Sequence, residues 1–373
     1  MDIAWIDGKP ATREDALQAA AGLIGKSRQP LIAGLRTDVA GLRTAFDLAR
    51  RCGGVVDHCD SDAVYPLVTA LRDSGAFLGA PAEMRRRADK ILIVGDRALE
   101  TGGDLVRWVV EGEPDLGVRT RASKRGIMAI GSNGAASLEG ADVTRIACEA
   151  DDLIDLLGLL RAQLAGHRLG KGPVAEEELG RIAEFLKHAG FGCVIFAPEE
   201  LGELGTEQLL GLVSDLNAET RFSTVPILAV PDAFGAALYA TWSSGYPLRV
   251  NLGTEVVQHD PALYAASRQL VGGETDLTIW IDALEGEGNA PASSATSIVL
   301  SCEPPSSGDA PAVAFAVAKP GRDHDGVLYE PRFGSFVPVS ASSGGEGAAS
   351  DLPTVATLLE DLTAELGAVA KAA

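Results

Sequence analysis

The densest group of side chains that could do chemistry lies within six consecutive positions and contains Asp57, His58, Cys59, Asp60 and Asp62. Carboxylates, an imidazole and a thiol can bind a metal ion or transfer protons. Their spacing matches no metal-binding motif, however, and the chain contains no Cys-x-x-Cys pair. Because a strand end followed by a helix cap accounts for the same residues, the sequence favours a structural role over a metal site.

A short strand and a helix must position this cluster. Val55 and Val56 are β-branched and follow two glycines, which predicts a short buried strand leaving a tight turn. Ser61 or Asp62 can cap the helix that follows. Ligands of open α/β sheets bind beyond the carboxyl ends of the strands, so an enzyme with this fold would place its chemistry here.

The rest of the chain alternates strand and helix patterns. A strand at 30–35, a helix at 39–51 and a strand at 54–58 are predicted to form one right-handed βαβ unit. The apolar runs at 90–96 and 277–282 indicate further buried strands. The sequence therefore predicts an α/β fold with doubly wound parallel sheets.

Composition excludes several functional classes. The 373 residues include 32 Lys and Arg against 52 Asp and Glu, a net charge of −20 that repels nucleic acid and anionic membranes. No run of 18 apolar residues and no signal-peptide pattern occur, which argues against a membrane span and against secretion. The five cysteines are scattered and odd in number, as expected of reduced thiols in a cytoplasmic protein.

The stretch from Gly54 to Pro66 resembles a segment of the family of molybdenum- or tungsten-containing formylmethanofuran dehydrogenase catalytic subunits, relatives of molybdopterin formate dehydrogenases. In that family a glycine-rich strand end precedes a Val-Cys-His-Gly-Pro-like segment whose cysteine or selenocysteine binds the metal. The resemblance places Ala63 at the cysteine and Val64 at the histidine. A methyl group has no lone pair to offer a metal, and valine cannot transfer a proton.

A second segment, 240–247 (Ala-Thr-Trp-Ser-Ser-Gly-Tyr-Pro), also resembles this family, and the resemblance extends over roughly residues 13–339. The family then has an arginine-containing turn near its active site. This chain has Gly253-Thr254-Glu255 there, and no arginine between Arg249 and Arg268. The resemblance therefore implies the fold without its chemistry: we expect no catalytic, cofactor-binding or metal-binding residue, and no cofactor.

The family's fold is the pterin-binding core of molybdopterin oxidoreductases, in which one α/β domain is inserted into another. It implies a discontinuous domain of residues 1–60 plus 198–373 and an inserted domain of residues 61–197. The strands within 30–58 should then share a sheet with the strand at 277–282, and not with the strand at 90–95.

Within this family the chain most resembles the non-catalytic β subunit of the bacterial formyltransferase/hydrolase complex of methylotrophy. The resemblance implies a scaffold that assembles with hydrolase, formyltransferase and γ-type subunits. Such a complex moves a formyl group from tetrahydromethanopterin to a methanofuran-like carrier and releases formate. Two alternatives remain open: an independent pterin- or nucleotide-dependent oxidoreductase, and an α/β module that binds a small molecule.

Overall fold

The computed structural model describes residues 3–121, 123–132, 138, 142–284, 295–303, 310–342 and 351–372. The chain divides into two compact units. The first unit comprises Met1–Ser61, Asp232–Tyr329 and Phe336–Ala373, and the second comprises Asp62–Pro231 and Glu330–Ser335. One α/β unit is therefore inserted into the other, as the resemblance implied.

A nine-stranded sheet forms the core of the first unit. In order across the sheet, its strands are β11 (Gln258–His259), β10 (Val250–Asn251), β4 (Val55–Val56), β3 (Pro30–Arg36), β12 (Leu277–Asp282), β13 (Thr296–Ser301), β14 (Val313–Ala316), β1 (Ala4–Ile6) and β2 (Lys9–Pro10). The five strands from β4 to β14 are parallel, whereas β10 and β1 join this core in antiparallel register. Because β3 pairs with both β4 and β12, the predicted sheet membership of residues 30–58 is confirmed.

Helices pack on this sheet and on one another. Those described in the first unit are α1 (Arg13–Lys26), α2 (Val39–Cys52), α9 (Asp232–Ser244), α10 (Ala266–Val271) and α11 (Val355–Ala372). The Asp38 carboxylate accepts a hydrogen bond from the N–H of Gly41 at the start of α2, and Gly53 ends this helix in the left-handed conformation. On one face of the sheet, Leu31 and Trp280 pack with Leu270 of α10.

A five-stranded, entirely parallel sheet forms the second unit. In order, its strands are β7 (Val143–Ala147), β6 (Gly126–Gly131), β5 (Lys90–Val94), β8 (Gly192–Phe196) and β9 (Phe222–Pro226). The α-helices described with it are α3 (Ser61–Ser74), α4 (Pro81–Arg87), α5 (Arg97–Val110), α6 (Leu153–Leu164), α7 (Glu176–Lys187) and α8 (Pro198–Leu216). Ile91 and Ile93 of β5 pack with Val106 and Val109 of α5 in a buried core.

The expected domain boundary between residues 197 and 198 lies earlier in the chain than the division in the structure. Beyond that point α8 continues the second unit, and β9 pairs in parallel with β8, from Gly192 with Phe222 to Phe196 with Pro226. Strand β9 satisfies its backbone hydrogen bonds on this sheet, so the second unit extends to Pro231. No change of composition marks the boundary at this position.

A separate hairpin, β15 (Gly326–Glu330) with β16 (Ser335–Val339), forms a two-stranded sheet. Pro338 is tolerated because a two-stranded sheet leaves one side of each strand unpaired. Aromatic residues connect the hairpin to α9, with ring centroids 5.3 Å apart for Trp242 and Phe336.

The longest helices, α8 with 19 residues and α11 with 18 residues, both carry acidic side chains. Across the ranges given above, no helix combines the length and the apolar character that a membrane span needs.

The backbone of β3 generates a stability prediction. Gly34 has a φ of +77°, and a Cβ there would lie 2.5 Å from the carbonyl oxygen of Ile281. We expect Gly34→Ala to destabilise the protein by at least about 2 kcal/mol, through the left-handed conformation and this overlap. Urea unfolding of the full chain measures the change.

Gly25→Ala is the matched control. Gly25 lies on the exposed side of α1, and a Cβ there meets nothing within 4 Å. Alanine should raise the free energy of unfolding by about 0.5–1 kcal/mol, because it restricts the unfolded chain and favours helix. A Gly34→Ala protein that unfolds at the wild-type midpoint would show that the β3 backbone is not constrained as described.

Candidate functional site

The polar side chains of the first unit gather at the carboxyl ends of its parallel strands. Arg36 is the last residue of β3, Asp282 is the last residue of β12, and His58 follows β4. Asp232 joins them as the first residue of α9, and Arg249 as the residue before β10. This is the edge of an open α/β sheet at which ligands ordinarily bind.

A β-bulge at the end of β3 orients the side chain of Arg36, the first of two buried arginines at this site. Between Trp280 and Asp282 the register of β12 against β3 shifts by one residue. Gly34 and Leu35 take up the extra residue in left-handed conformations, with φ of 77° and 58°. Bulges re-aim side chains, and this one places Arg36 opposite Asp282.

Two carboxylates hold the buried guanidinium of Arg36. Its NH1 lies 3.2 Å from Asp282 Oδ1, and its Nε lies 3.4 Å from Asp232 Oδ2. Burial works against an ionised Asp232, but the hydrogen bond from His58 and the charge of Arg36 outweigh it and lower the pKa of this carboxyl. Burial raises the pKa of Asp282, which Arg36 only partly offsets.

His58 is completely buried and uses both ring nitrogens. Its Nε2 lies 3.2 Å from Asp232 Oδ2, while its Nδ1 accepts the backbone N–H of Asp60 at 3.0 Å and lies 3.6 Å from Cys59 Sγ. Burial opposes a charge on the ring, but Asp232 and Cys59 outweigh it and raise the pKa of His58 to about 10. Both ring nitrogens are therefore engaged, Nε2 with the Asp232 carboxylate and Nδ1 with the backbone N–H of Asp60.

Asp57 is used as a helix cap. Its Oδ2 accepts hydrogen bonds from the N–H of Ala266, at the start of α10, and from the hydroxyl of Ser61, at 2.7 and 2.8 Å. Ser61 in turn accepts from Arg249 Nε and NH2, and NH1 of Arg249 donates to the carbonyl of Pro261. Complete burial dominates over these partners and raises the pKa of Asp57 to about 6.

Backbone strain occurs at Arg249, the second buried arginine of this site. Leu248 and Arg249 both have positive φ, of 70° and 51°. Each left-handed residue with a side chain costs on the order of 1 kcal/mol, so the surrounding contacts must hold this turn in place. Arg249 is buried, and its guanidinium lies against Ser61 and Asp57.

The structure thus divides the predicted cluster among different partners. Asp57 and His58 point to separate groups, Cys59 lies beside the imidazole, and Asp60 contributes its backbone N–H. Asp62 is exposed and belongs to the second unit.

Sequence reasoning missed the other members of the site, which are Arg36, Asp232, Arg249 and Asp282. A charged residue directly after or before an apolar strand was the available signal for three of them. In the sequence, Arg249 marks only the start of a stretch without arginine, whereas the structure shows it to be part of the cluster.

In the second unit an internal carboxylate occupies the position where a phosphate group could bind. Glu200 accepts hydrogen bonds from the backbone N–H groups of Asp96 and Arg97 at the start of α5, both at 3.0 Å. This helix start follows β5 directly, and helix N-termini at such positions attract anions. Gly95 leaves room for this carboxylate, because a Cβ there would overlap it.

A metal–pterin group, which the family's fold implies, does not fit these residues. The position that would supply the metal-binding thiolate is Ala63, a buried methyl group. Within the described part of the chain, no three His, Cys, Asp or Glu side chains are grouped to hold a metal ion. The helix start that could receive a phosphate is filled by Glu200. The arrangement is a network of ion pairs and caps, in which Asp57 Oδ1 is buried without a hydrogen-bond partner among the described residues.

Comparison with known proteins gives relatives that match most of the chain. The B-type subunit of the formyltransferase/hydrolase complex Fhc of Methylorubrum extorquens is 33% identical over 345 residues, which cover 91% of this chain and 91% of that protein. The B-type subunit of tungsten-containing formylmethanofuran dehydrogenase 2 of Methanocaldococcus jannaschii is 26% identical over 282 residues, 73% of this chain and 64% of that protein. No protein-family model matches the chain.

A solved structure extends the likeness to the whole fold. A chain in the crystal structure of the formyltransferase/hydrolase complex FhcABCD from Methylorubrum extorquens, in complex with methylofuran, superposes with a TM-score of 0.86. The two chains share 30% sequence identity, and the match covers 99% of each. Both units therefore have counterparts in that chain.

The ion-pair network predicts a pH-dependent loss of stability on removal of one carboxylate. Asp232→Asn should destabilise the protein by about 2–4 kcal/mol at pH 7, because Arg36 and His58 lose a buried partner. The pKa of Asp232 is lowered by folding, so its stabilisation is present above the unfolded pKa, about 4, and is lost as the pH falls through the folded value. Denaturant unfolding between pH 3 and pH 7 measures this.

Asp104→Asn is the control, because the Asp104 side chain is 98% exposed in its ion pair with Arg107. It should change the free energy of unfolding by less than about 0.5 kcal/mol at every pH. An Asp232→Asn protein as stable as this control at pH 7 would contradict the network.

Proposed function

The chain belongs to the family of B-type subunits of the formyltransferase/hydrolase complex, and on this basis we propose that it is the non-catalytic scaffold subunit of such a complex. In the cytoplasm it would hold hydrolase, formyltransferase and γ-type subunits together. Those companions would move a formyl group from tetrahydromethanopterin to a methanofuran-like carrier and release formate. None of these steps would use a side chain of this subunit.

One observation carries the non-catalytic part of the proposal: the polar residues at the strand ends are engaged with one another. Asp57 caps α10, and His58 and Arg36 share Asp232. A catalytic acid, base or ligand must present a free lone pair or proton to a substrate. Here the strongest candidates, Asp57 and His58, are fully buried, so neither side chain is accessible to a substrate, and both serve internal hydrogen bonds.

The resemblance described above supports the same conclusion. It places Ala63 at the position of the family's metal-binding cysteine, which implies that the group most essential to redox chemistry is absent from this chain. An independent oxidoreductase would need a thiolate, imidazole or carboxylate ligand in its place. The absence of such a ligand supports the proposal that the fold is retained for surfaces that bind other subunits.

Exposed apolar side chains support assembly. Trp242 is 66% exposed even though it packs against Phe336, and Val256 and Val271 are also exposed. Obligate interfaces bury more than about 2,000 Å² and are rich in apolar and aromatic groups. A tryptophan left in solvent is costly for a monomer and suits an interface core.

Affinity purification tests the proposal. We expect the tagged full chain, expressed in its own host, to bring down a hydrolase-like and a formyltransferase-like subunit in fixed ratio. Because an apolar interface is not screened by salt, the recovery should persist in a wash with about 0.5 M NaCl. The untagged host extract, treated in the same way, is the control.

Two results of that experiment would contradict the proposal. A clean monomer with no companions would favour the small-molecule-binding module. Molybdenum, tungsten or iron in stoichiometric amount with this chain, measured by elemental analysis, would favour the independent oxidoreductase.

A further inference from the structure

We propose that Cys59 is a reactive thiol, a covalent modification site for small uncharged carbon electrophiles, with His58 as its base. The inference concerns a residue that the scaffold function does not use. It rests on a chain of contacts in which the Cys59 thiol lies beside the His58 imidazole, and the imidazole contacts the Asp232 carboxylate.

The geometry is that of an activated cysteine. Cys59 Sγ lies 3.6 Å from His58 Nδ1, and His58 Nε2 lies 3.2 Å from Asp232 Oδ2. A thiol beside an imidazole that a carboxylate orients on its far side is the arrangement that generates nucleophilic thiolates in proteins. The thiol proton passes to Nδ1, and Asp232 stabilises the imidazolium that results.

The base is held rigidly from several elements. Asp232 at the start of α9 contacts Arg36 of β3, and Arg36 contacts Asp282 of β12. A neighbouring charged pair is formed by Asp57, which follows β4, and Arg249, which precedes β10. His58 therefore cannot swing away from Cys59, which keeps nucleophile and base together.

The other cysteines provide internal comparisons. The thiols of Cys52, Cys148 and Cys302 contact only backbone carbonyl oxygens in the hydrogen bonds of the described residues. Burial raises the pKa of Cys52 and Cys148 to about 11, and also raises that of Cys302 and Cys193. Cys59 is half-buried, as are Cys52 and Cys302, so exposure alone does not set it apart.

One contact limits the activation. The backbone N–H of Asp60 also points at His58 Nδ1, at 3.0 Å, and must give up this hydrogen bond when the proton arrives. We therefore expect an acceleration of about tenfold over an ordinary thiol at pH 7, rather than the larger effect of a free imidazole.

The charge of the surroundings selects the electrophile. The chain carries a net charge of −20, so anionic reagents are repelled. In the reaction with iodoacetamide the sulfur–carbon bond forms, the carbon–iodine bond breaks, iodide leaves, and the thiol proton remains on His58.

Site-resolved labelling of the full-length chain tests the proposal. The probe is iodoacetamide at pH 7, and peptide mass spectrometry follows each cysteine over time. We expect Cys59 to label about tenfold faster than Cys302 and Cys52, and to keep this lead at pH 6.5. With iodoacetate, the ratio of the labelling rate of Cys59 to that of Cys302 should be smaller than with iodoacetamide. Cys59→Ser removes the fast peptide and identifies it.

His58→Gln is the informative variant. It should reduce the labelling rate of Cys59 to that of Cys302 and leave the rates of the other cysteines unchanged. If this variant fails to fold, the wild-type comparison alone decides. A Cys59 that labels no faster than Cys302 in the wild-type chain, or that keeps its rate in folded His58→Gln, would overturn the proposal.

Discussion

The buried guanidinium of Arg36 is the constraint on which the polar core of the first unit depends. A charge taken out of water is tolerated only if it is paired, and Arg36 is paired on two sides, by Asp282 and by Asp232. Reaching both requires the bulge at Gly34 and Leu35. Asp232 then also receives His58, so the ends of β3, β4 and β12 and the start of α9 are joined by one set of ion pairs.

Under the proposed scaffold function, the same constraint gives a sheet edge suited to chemistry a structural role. Ligands ordinarily bind at this edge because the polar groups there are free to face them. Here Asp57 caps α10 and His58 faces Asp232, while in the second unit Glu200 caps α5. The family fold is retained in full, as the match to a chain of the formyltransferase/hydrolase complex over 99% of both chains indicates. Its surfaces, rather than its strand ends, are what a scaffold needs.

The sequence predicted the regular elements well, because apolar periodicity and helix caps are local signals. The strand at β3 and the helix α2 follow from such patterns. The sheet that β3 shares with β12 was implied instead by the family resemblance. Pairings such as Arg36 with Asp232 depend on residues almost 200 positions apart, and no local pattern encodes them. The bulge was equally hidden, since Gly34-Leu35 reads as an ordinary part of an apolar strand. The domain boundary was placed too early because the strand–helix alternation continues through α8 and β9 without interruption.

The central claim, that this chain takes part in assembly and not in chemistry, is tested most directly by the rate of formyl transfer and formate release per assembled complex. The comparison is between complexes that contain the wild-type chain and complexes that contain His58→Gln, purified to the same subunit ratio. The account predicts rates equal within about twofold, because an acid–base role is worth roughly a hundredfold or more. A loss of that size in a complex of normal composition would contradict the account and place chemistry in this chain.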